Sequence, residues 1–322
     1  MHAWTKTICV ILISIVAGCS ATLPKNSPPA SKTYKNKVDV RVMGSRRSYL
    51  VHVPPAYEDR TPLPLVVVIH GAFETAWDIE KRSGFSDLAD REGFVALYPN
   101  GMGLFGFLQH WNAGHCCGKA AEDGIDDVGF IATAIDDVRT RLSIDPDRTY
   151  AVGFSNGGML AYRFAAEKTG TLAALAVVAA TIGGRPSDNV PVWRPRKPSG
   201  PLPVIVFHGL DDDAVPPQGG VSSKRGGKRT FLSIEDSIRF WVTNNGCNRE
   251  PLSGERRQNS VRIQTWKGCR QGADVVLYLL EKWGHVWPGL YYTAELNDEN
   301  PLKGFDAAGI IWDFFKAHRR TI

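Results

Sequence analysis

Residues 150–159 read YAVGFSNGGM and contain the pattern G-x-S-x-G between two different kinds of sequence. Before Ser155, residues 149–154 are mostly apolar and suit a strand buried on both faces of a sheet. After it, residues 159–167 have helical spacing. A strand that turns this tightly into a helix leaves no room for a Cβ two residues before or after the serine, and it exposes the hydroxyl. The stretch therefore predicts that Ser155 is a nucleophile at the edge of a sheet.

The surrounding chain repeats this strand and helix alternation. Apolar runs without alternation, typical of strands buried on both faces, occur at residues 65–69, 94–98, 172–179 and 204–207. Segments with helical spacing, at residues 85–91 and 128–142, lie between them. Alternation of this kind favours a mostly parallel sheet with helices on both faces. Together with the serine pattern, it predicts a single α/β-hydrolase domain.

Both ends of this region have simpler patterns. Residues 38–42 and 49–53 alternate apolar and polar side chains around Gly44 and Ser45, which predicts an antiparallel hairpin. Residues 306–320 have an apolar helical face with basic residues at the end, which predicts a terminal helix docked on the domain.

Residues 1–19 differ from the rest of the chain in composition. Lys6 precedes an apolar run at residues 8–16, and residues 16–19 read VAGC, which resembles a bacterial lipoprotein signal. The run is about half as long as a helix needs to cross a bilayer. We therefore expect a signal peptide at residues 1–18, a lipidated Cys19, a solvated tether at residues 19–35 and the catalytic domain at residues 36–322. The membrane would be a partner only through this lipid.

Export bears on the remaining cysteines, because an oxidising compartment lets disulfides persist. Four cysteines follow Cys19, and their sequence positions allow three connectivities. We favour a bridge between Cys247 and Cys269. Adjacent Cys116 and Cys117 either form a vicinal bridge or remain buried thiols.

A serine hydroxyl needs a base, and in this fold the chain order is serine, acid, histidine. Three histidines follow Ser155. His208 ends a buried strand ahead of the nearby acids, and His318 lies in the predicted terminal helix. His285 follows the strand-like run 275–280 and is therefore the expected general base, which should make hydrolysis decline in acid.

The acid follows another predicted strand. Residues 208–216 read HGLDDDAVP, which places Asp211, Asp212 and Asp213 at the edge of the sheet. Three adjacent carboxylates would repel one another if all faced one buried site, so we expect one of them to point inward. The residues alone leave open which one.

The oxyanion that forms on attack needs two aligned backbone donors. We expect one to be the N–H of Asn156, directly after the nucleophile. The other should be the N–H of Ala72, in the loop that follows the predicted strand ending at His70 and Gly71.

With these residues placed, the chain from residue 36 to residue 318 resembles the poly(3-hydroxybutyrate) depolymerase and feruloyl or acetyl xylan esterase family, including lipoproteins of the LpqC type. The segments that carry the resemblance are residues 65–71, 98–101, 111–118, 126–130, 153–159, 208–216, 245–247 and 284–289. The resemblance implies that Asp212 is the acid of the triad. It also implies a serine esterase of feruloyl, acetyl or 3-hydroxyalkanoate esters. Trp111 and Trp287 are candidate substrate contacts, because aromatic rings stack on flat groups, and the alternative is that they belong to the core.

The chain also departs from the family. Residues 282–285 read KWGH where family members often have several glycines, so Trp283 could narrow the pocket. The sequence also lacks the extra binding domain and the Thr-rich linker of family members that attack solid polyester. Soluble or oligomeric esters, including those of plant cell-wall polysaccharides, are therefore the expected substrates.

Other functions fit the sequence less well. Residues 101–106 match the dinucleotide pattern G-x-G-x-x-G, but no helical period follows them, which argues against a nicotinamide dehydrogenase. A surface lipoprotein that only binds is the remaining alternative. No metal-ligand spacing occurs, and the net charge of +5 is spread along the chain, so we expect no cofactor, no metal and no nucleic-acid partner.

Overall fold

The computed structural model describes residues 21–24, 29–42, 45–103, 106–222, 224, 228–252, 256–257 and 260–320. The expected signal peptide and Cys19 lie outside the described residues. Within the described ranges, no helix has both the length and the apolar character needed to cross a bilayer.

Strands and helices alternate along most of the chain. The strands are β1 (Lys32–Val42), β2 (Ser45–Val53), β3 (Leu63–Ile69), β4 (Val95–Pro99), β5 (Ile144–Phe154), β6 (Ala174–Val178), β7 (Gly184–Arg185), β8 (Val204–Gly209), β9 (Gly220–Val221), β10 (Thr230–Phe231), β11 (Arg256–Arg257), β12 (Val261–Trp266) and β13 (Val275–Leu280). The helices are α1 (Ala76–Ser83), α2 (Phe85–Glu92), α3 (Gly118–Glu122), α4 (Asp127–Arg141), α5 (Asn156–Glu167), α6 (Ile234–Asn245), α7 (Leu290–Thr293) and α8 (Ala307–Lys316).

The main sheet has the order β1-β2-β4-β3-β5-β6-β8-β13-β12-β11. Its six central strands, from β4 to β13, pair in parallel. Antiparallel strands β2 and β1 extend one edge, and β12 and β11 extend the other. The expected mostly parallel sheet is confirmed, and the carboxyl ends of its central strands meet along one edge.

Both faces of the sheet are covered, as the unbroken apolar runs predict. In β3, Leu65, Val67 and Ile69 face the side of α4, α5 and α6, where they join one apolar cluster. Val66 and Val68 face α1, α2 and α8 in a second cluster. In the terminal helix α8, Phe315 stacks on the Tyr150 ring at 4.8 Å, so the predicted docking helix is confirmed.

The hairpin begins earlier than predicted and draws in part of the expected tether. Strand β1 starts at Lys32, which pairs with Val53 at the end of β2. The Leu23 side chain is buried, and its backbone N–H donates to Asn36 Oδ1 at 2.9 Å. Residues 19–35 are therefore not solvated throughout, because an apolar side chain near their start completes the packing around the hairpin. The prediction that the domain begins at residue 36 is corrected accordingly.

Candidate active site

Ser155 lies in the tight turn between β5 and α5. Its backbone has φ 53° and ψ −123°, a left-handed conformation that is costly for a residue with a Cβ. A Cβ at Gly153 would collide with the carbonyl oxygen of Gly157, and a Cβ at Gly157 would collide with the carbonyl oxygen of His70. The two glycines of the pattern are therefore required by close backbone approach, and the turn is the one that the sequence predicts.

The hydroxyl of Ser155 meets an imidazole and a carboxylate in a hydrogen-bonded row. His285 Nε2 lies 2.8 Å from Ser155 Oγ, and His285 Nδ1 lies 2.8 Å from Asp212 Oδ2. The three side chains follow β5, β8 and β13, so the parallel sheet brings them to one edge although they are distant in sequence. The predicted Ser155, Asp212 and His285 thus lie together.

Of the three adjacent aspartates, Asp212 points inward. Its side chain is 0% exposed, whereas Asp211 and Asp213 are exposed to solvent. Oδ1 of Asp212 accepts from the backbone N–H groups of Ala214 at 3.0 Å and Val215 at 2.8 Å. These contacts occupy one oxygen and leave the other free to hold the imidazole of His285.

The buried histidine His208 supports the loop that carries Asp212. His208 Nε2 lies 2.9 Å from the Val215 carbonyl oxygen and 3.4 Å from Asp212 Oδ2. Burial lowers the pKa of His208, so its ring is neutral near pH 7 and donates from Nε2 to the Val215 carbonyl. The sequence analysis considered His208 only as a candidate base. The structure places it behind the acid.

The expected oxyanion donors flank the serine. Ala72 and Asn156 border the same cavity as Ser155. Asn156 is the first residue of α5, where a backbone N–H has no partner within the helix. Its side chain is held away from the site, since Oδ1 accepts from the Trp111 N–H at 2.8 Å and Nδ2 donates to the Trp111 carbonyl at 3.1 Å.

An ion pair that the sequence analysis did not identify holds the loop around Ala72. Glu74 Oε2 accepts from the Gly71 N–H at 2.8 Å and from Arg82 Nη2 at 2.6 Å. The Arg82 guanidinium lies over the Phe154 ring, 4.6 Å from its centroid. Glu74 comes three residues after Gly71, and no local pattern in the sequence signals this contact.

In the described part of the chain, two cavities border Ser155 and His285. The smaller, of about 30 Å³, is lined by the apolar or sulfur-containing Cys116, Cys117, Met159, Val215 and Phe231 and by the cationic Lys224 and Arg229. The larger, of about 170 Å³, is lined by Glu74, Arg82, Phe154, Val286, Trp287 and Tyr292. The two spaces beside Ser155 therefore differ in size.

Trp111 and Trp287, the expected substrate contacts, differ in their position relative to the two cavities. Trp111 is fully buried, its Nε1 donates to the His70 carbonyl at 2.9 Å, and it borders neither cavity. The structure therefore favours the core alternative for Trp111, because its ring packs beneath the loop that contains Ala72. Trp287 is also buried but borders the larger cavity, so its contact with substrate stays a prediction. Trp283 donates from Nε1 to the Val286 carbonyl at 2.9 Å and borders neither cavity.

The cysteines pair in the structure. Cys247 and Cys269 form the bridge that the sequence analysis favours. Cys116 and Cys117 form the vicinal bridge, which was one of two alternatives, and they lie beside the smaller cavity.

The segment that matches the dinucleotide pattern is a loop where it is described. The backbone N–H of Met102 donates to the His110 carbonyl oxygen at 3.0 Å, and the backbone N–H of His110 donates to the Met102 carbonyl oxygen at 2.6 Å. The segment around Met102 therefore pairs with the residues just before Trp111. A dinucleotide fingerprint instead opens a helix after a strand. The described residues around Met102 therefore lack the helix start that a dinucleotide fingerprint needs.

Comparison with known proteins gives consistent matches. Residues 47–207, half of the 322-residue chain, match the family model described as Esterase PHB depolymerase. The chain is 29% identical over 283 residues to NocK, a proposed esterase of Nocardia uniformis subsp. tsuyamanensis, covering 83% of this chain and 78% of that protein. It is 28% identical over 242 residues to feruloyl esterase B of Piromyces equi, covering 74% of this chain and 42% of that protein.

A solved structure supports the fold. An acetyl xylan esterase from Aspergillus awamori superposes with a TM-score of 0.57 at 16% sequence identity, covering 74% of this chain and 89% of that one. At this identity the likeness concerns the fold, which is the expected mostly parallel α/β sheet.

Proposed function

The chain belongs to the Esterase PHB depolymerase family, and we propose that Ser155, His285 and Asp212 are the catalytic triad with which it hydrolyses carboxylic esters. The chain is a serine ester hydrolase. The observation that carries the assignment of the triad is the row of hydrogen bonds of 2.8 Å each from Ser155 through His285 to Asp212.

The proposed reaction begins with a proton transfer. His285 Nε2 takes the proton of the Ser155 hydroxyl as Oγ attacks the carbonyl carbon of the ester. The tetrahedral intermediate collapses to an acyl-enzyme, and the imidazolium gives its proton to the departing alcohol. Water then attacks the acyl group, again with His285 as base, and releases the carboxylic acid and free Ser155.

Asp212 serves this cycle by holding the imidazole. Because its Oδ2 accepts from His285 Nδ1–H, the unprotonated nitrogen of the neutral ring is Nε2, which faces Ser155. The two backbone donors on Oδ1 fix the carboxylate in this orientation. We propose that the N–H groups of Ala72 and Asn156 stabilise the oxyanion.

Substrate selection follows from the unequal cavities. The smaller one, about 30 Å³, is the tighter of the two, so it suits a compact group such as acetyl. The larger, about 170 Å³ and lined by Phe154, Trp287 and Tyr292, suits a flat or branched group. The names of the relatives agree with acetyl and feruloyl esters, including those of plant cell-wall polysaccharides, and the family name with 3-hydroxyalkanoate esters.

Hydrolysis of p-nitrophenyl acetate tests the catalytic assignment. We expect Ser155→Ala and His285→Ala each to lower kcat at least about 1,000-fold, because the members of a triad act as a unit. Ser199→Ala, at an exposed serine outside both cavities, is the matched control and should keep the parent rate. A Ser155→Ala variant as active as the parent would refute the proposal.

A panel of methyl ferulate, acetylated xylan and 3-hydroxybutyrate oligomers tests the substrate class. We expect the highest kcat/KM for esters in which one side of the carbonyl is compact. Equal turnover of esters that are bulky on both sides would contradict the role of the two cavities.

We further propose that the protein is exported and held in the cell envelope by a lipid on Cys19. The lipoprotein-like sequence at residues 16–19 supports this, and the Cys247–Cys269 bridge suits an oxidising compartment. Mass spectrometry of the mature N-terminus and fractionation of a Cys19→Ser variant test it. Recovery of the parent chain in the soluble fraction, with an unmodified Cys19, would rule it out.

A further inference from the structure

His70 lies at the end of β3, between the oxyanion loop and the loop after β4. Its side chain is fully buried. Nδ1 lies 2.7 Å from the carbonyl oxygen of Gly71, and Nε2 lies 3.0 Å from the backbone nitrogen of Gly101. The ring therefore bridges two loops without reaching either cavity beside Ser155.

These two contacts determine where the ring carries its proton. A backbone N–H can only donate, so Nε2 of His70 accepts from Gly101 and carries no hydrogen. Nδ1 then carries the hydrogen and donates it to the Gly71 carbonyl. Gln109 Oε1 also lies 3.2 Å from Nε2, but it is an acceptor facing an acceptor and adds no bond. Burial lowers the pKa of His70 to about 4, which keeps this neutral tautomer at pH 7.

The Gly71 carbonyl is part of the peptide unit that contains the N–H of Ala72. In a planar trans peptide the C=O and the following N–H point in opposite directions. A bond that draws the Gly71 oxygen toward His70 therefore turns the Ala72 N–H away from the ring. Gly71 also lies beside the nucleophile, because a Cβ added there would come within 3.3 Å of Ser155 Cβ.

The other side of Gly71 is held as well. Its N–H donates to Glu74 Oε2 at 2.8 Å, and Glu74 is paired with Arg82. Because both of the polar backbone groups of Gly71 have fixed partners, rotation of the Gly71–Ala72 peptide would break a buried hydrogen bond. Of the two partners, His70 contacts the peptide unit that supplies the expected oxyanion donor.

We propose that His70 is a positioning residue for the oxyanion hole: its Nδ1–H holds the Gly71–Ala72 peptide in the orientation that aims the Ala72 N–H at the ester oxygen on Ser155. This role rests on the proposed function. It assigns to His70 an effect on the transition state and none on substrate binding, because the ring borders neither cavity.

Two substitutions separate the two contacts of the ring. The amide nitrogen of asparagine is bonded to Cγ, as Nδ1 is in histidine. His70→Asn therefore retains a donor for the Gly71 carbonyl and loses the acceptor for Gly101. Glutamine reaches the position of Nε2, so His70→Gln retains the acceptor for Gly101 and loses the donor to Gly71. Both variants lose the buried ring, but only His70→Asn keeps the donor to Gly71. Comparing them therefore separates the effect of this donor from the effect of losing the ring.

The experiment measures kcat and KM for p-nitrophenyl acetate and the affinity of a boronic acid that forms a tetrahedral adduct with Ser155. For His70→Gln we expect kcat to fall about 10- to 100-fold, somewhat less than on complete loss of an oxyanion donor, with KM unchanged. Boronic acid affinity should fall in parallel. His70→Asn should stay within about threefold of the parent in both measurements, since one retained donor suffices.

Matched controls make the outcome decisive. His52 is also a buried histidine, but it bonds Thr33 and Asp90 and pairs with Ala96 near the amino end of β4. It is therefore far from the carboxyl ends where Ser155 lies, and His52→Gln should leave kcat unchanged. Equal kcat in the parent and a folded His70→Gln variant would overturn the role of His70, as would a folded His70→Asn variant that loses activity as His70→Gln does. If His70→Gln does not fold, His70→Ala, which also lacks the donor to Gly71, takes its place with the same expected and contrary outcomes. If Ser155→Ala retains the parent activity, the proposed function fails instead.

Discussion

Arg47 and Asp127 form an ion pair that is almost completely excluded from water: Arg47 Nη2 lies 2.8 Å from Asp127 Oδ1, and the two side chains are 3% and 0% exposed. Arg47 also donates to the Asn100 carbonyl at 3.0 Å, and Asp127 Oδ2 accepts from the Asn112 N–H at 2.7 Å. The pair therefore ties β2 and α4 to both ends of the loop that passes beside the active site.

Removing one charge of this pair should be strongly destabilising. We expect Asp127→Asn to lower the free energy of unfolding by about 3–5 kcal/mol, because Arg47 would remain buried without a counter-charge. Urea denaturation at pH 7 measures the loss. Asp123→Asn removes an exposed partner of Lys119 and should cost less than about 1 kcal/mol. Similar losses in the two variants would contradict the importance of burial.

Buried neutral histidines should make the stability depend on pH. Burial lowers the pKa of His115 to about 3. Since the unfolded chain binds this proton near pH 6.5 and the folded chain does not, the folded state loses stability as the pH falls below 6.5. We expect the destabilisation caused by His115→Gln to be smaller at pH 4.5 than at pH 7 by about 2–3 kcal/mol. A difference that does not change between the two pH values would show that His115 titrates normally.

The glycine at the second position after Ser155 should tolerate no side chain. A Cβ at Gly157 would meet the backbone carbonyl oxygens of Ile69 and His70, neither of which is at the end of a flexible group. We expect Gly157→Ala to lower kcat for p-nitrophenyl acetate more than about 100-fold and to reduce the melting temperature. At Gly200 the nearest atom to an added Cβ is 3.8 Å away, so Gly200→Ala should keep the parent kcat and the parent melting temperature. Parent-like activity in Gly157→Ala would show that the turn can relax.

The Cys247–Cys269 bridge should contribute to stability and not to catalysis. It closes a sequence separation of 22 residues and joins the end of α6 to the loop before β13. Replacing both cysteines with serine should lower the free energy of unfolding by about 3 kcal/mol, since the unfolded chain gains freedom. Thermal melts and esterase rates at 25 °C measure the two effects. A loss of rate in folded protein would indicate an unexpected link to the site.

The sequence predicts the centre of the fold well, for a physical reason. Strands buried on both faces need unbroken apolar runs, and the turn at Ser155 needs glycines at fixed spacing, so both leave local signals. The order of Ser155, Asp212 and His285 is set by the same architecture, and the structure brings these three residues together.

Features made by contacts between distant segments could not be predicted in this way. The early start of β1 depends on packing of Leu23, and the core position of Trp111 depends on the carbonyl of His70. Helix α6 and strand β12 were not predicted, although Ser233 and Asp236 form a capping box at the start of α6. The bond from His70 to Gly71 joins adjacent residues, but it becomes informative only once Gly71 is seen beside Ser155.

The order in which the triad is distributed along the chain has a consequence for biosynthesis. His285 follows β13, which pairs with β8 behind Asp212, so the imidazole can reach Ser155 only after the sheet has been extended by this late strand. A nascent chain that has emerged only as far as α6 already contains Ser155 and Asp212 but lacks His285, the proposed base. With the proposed triad, we expect ester cleavage only from chains whose synthesis has passed β13 and whose sheet includes this strand.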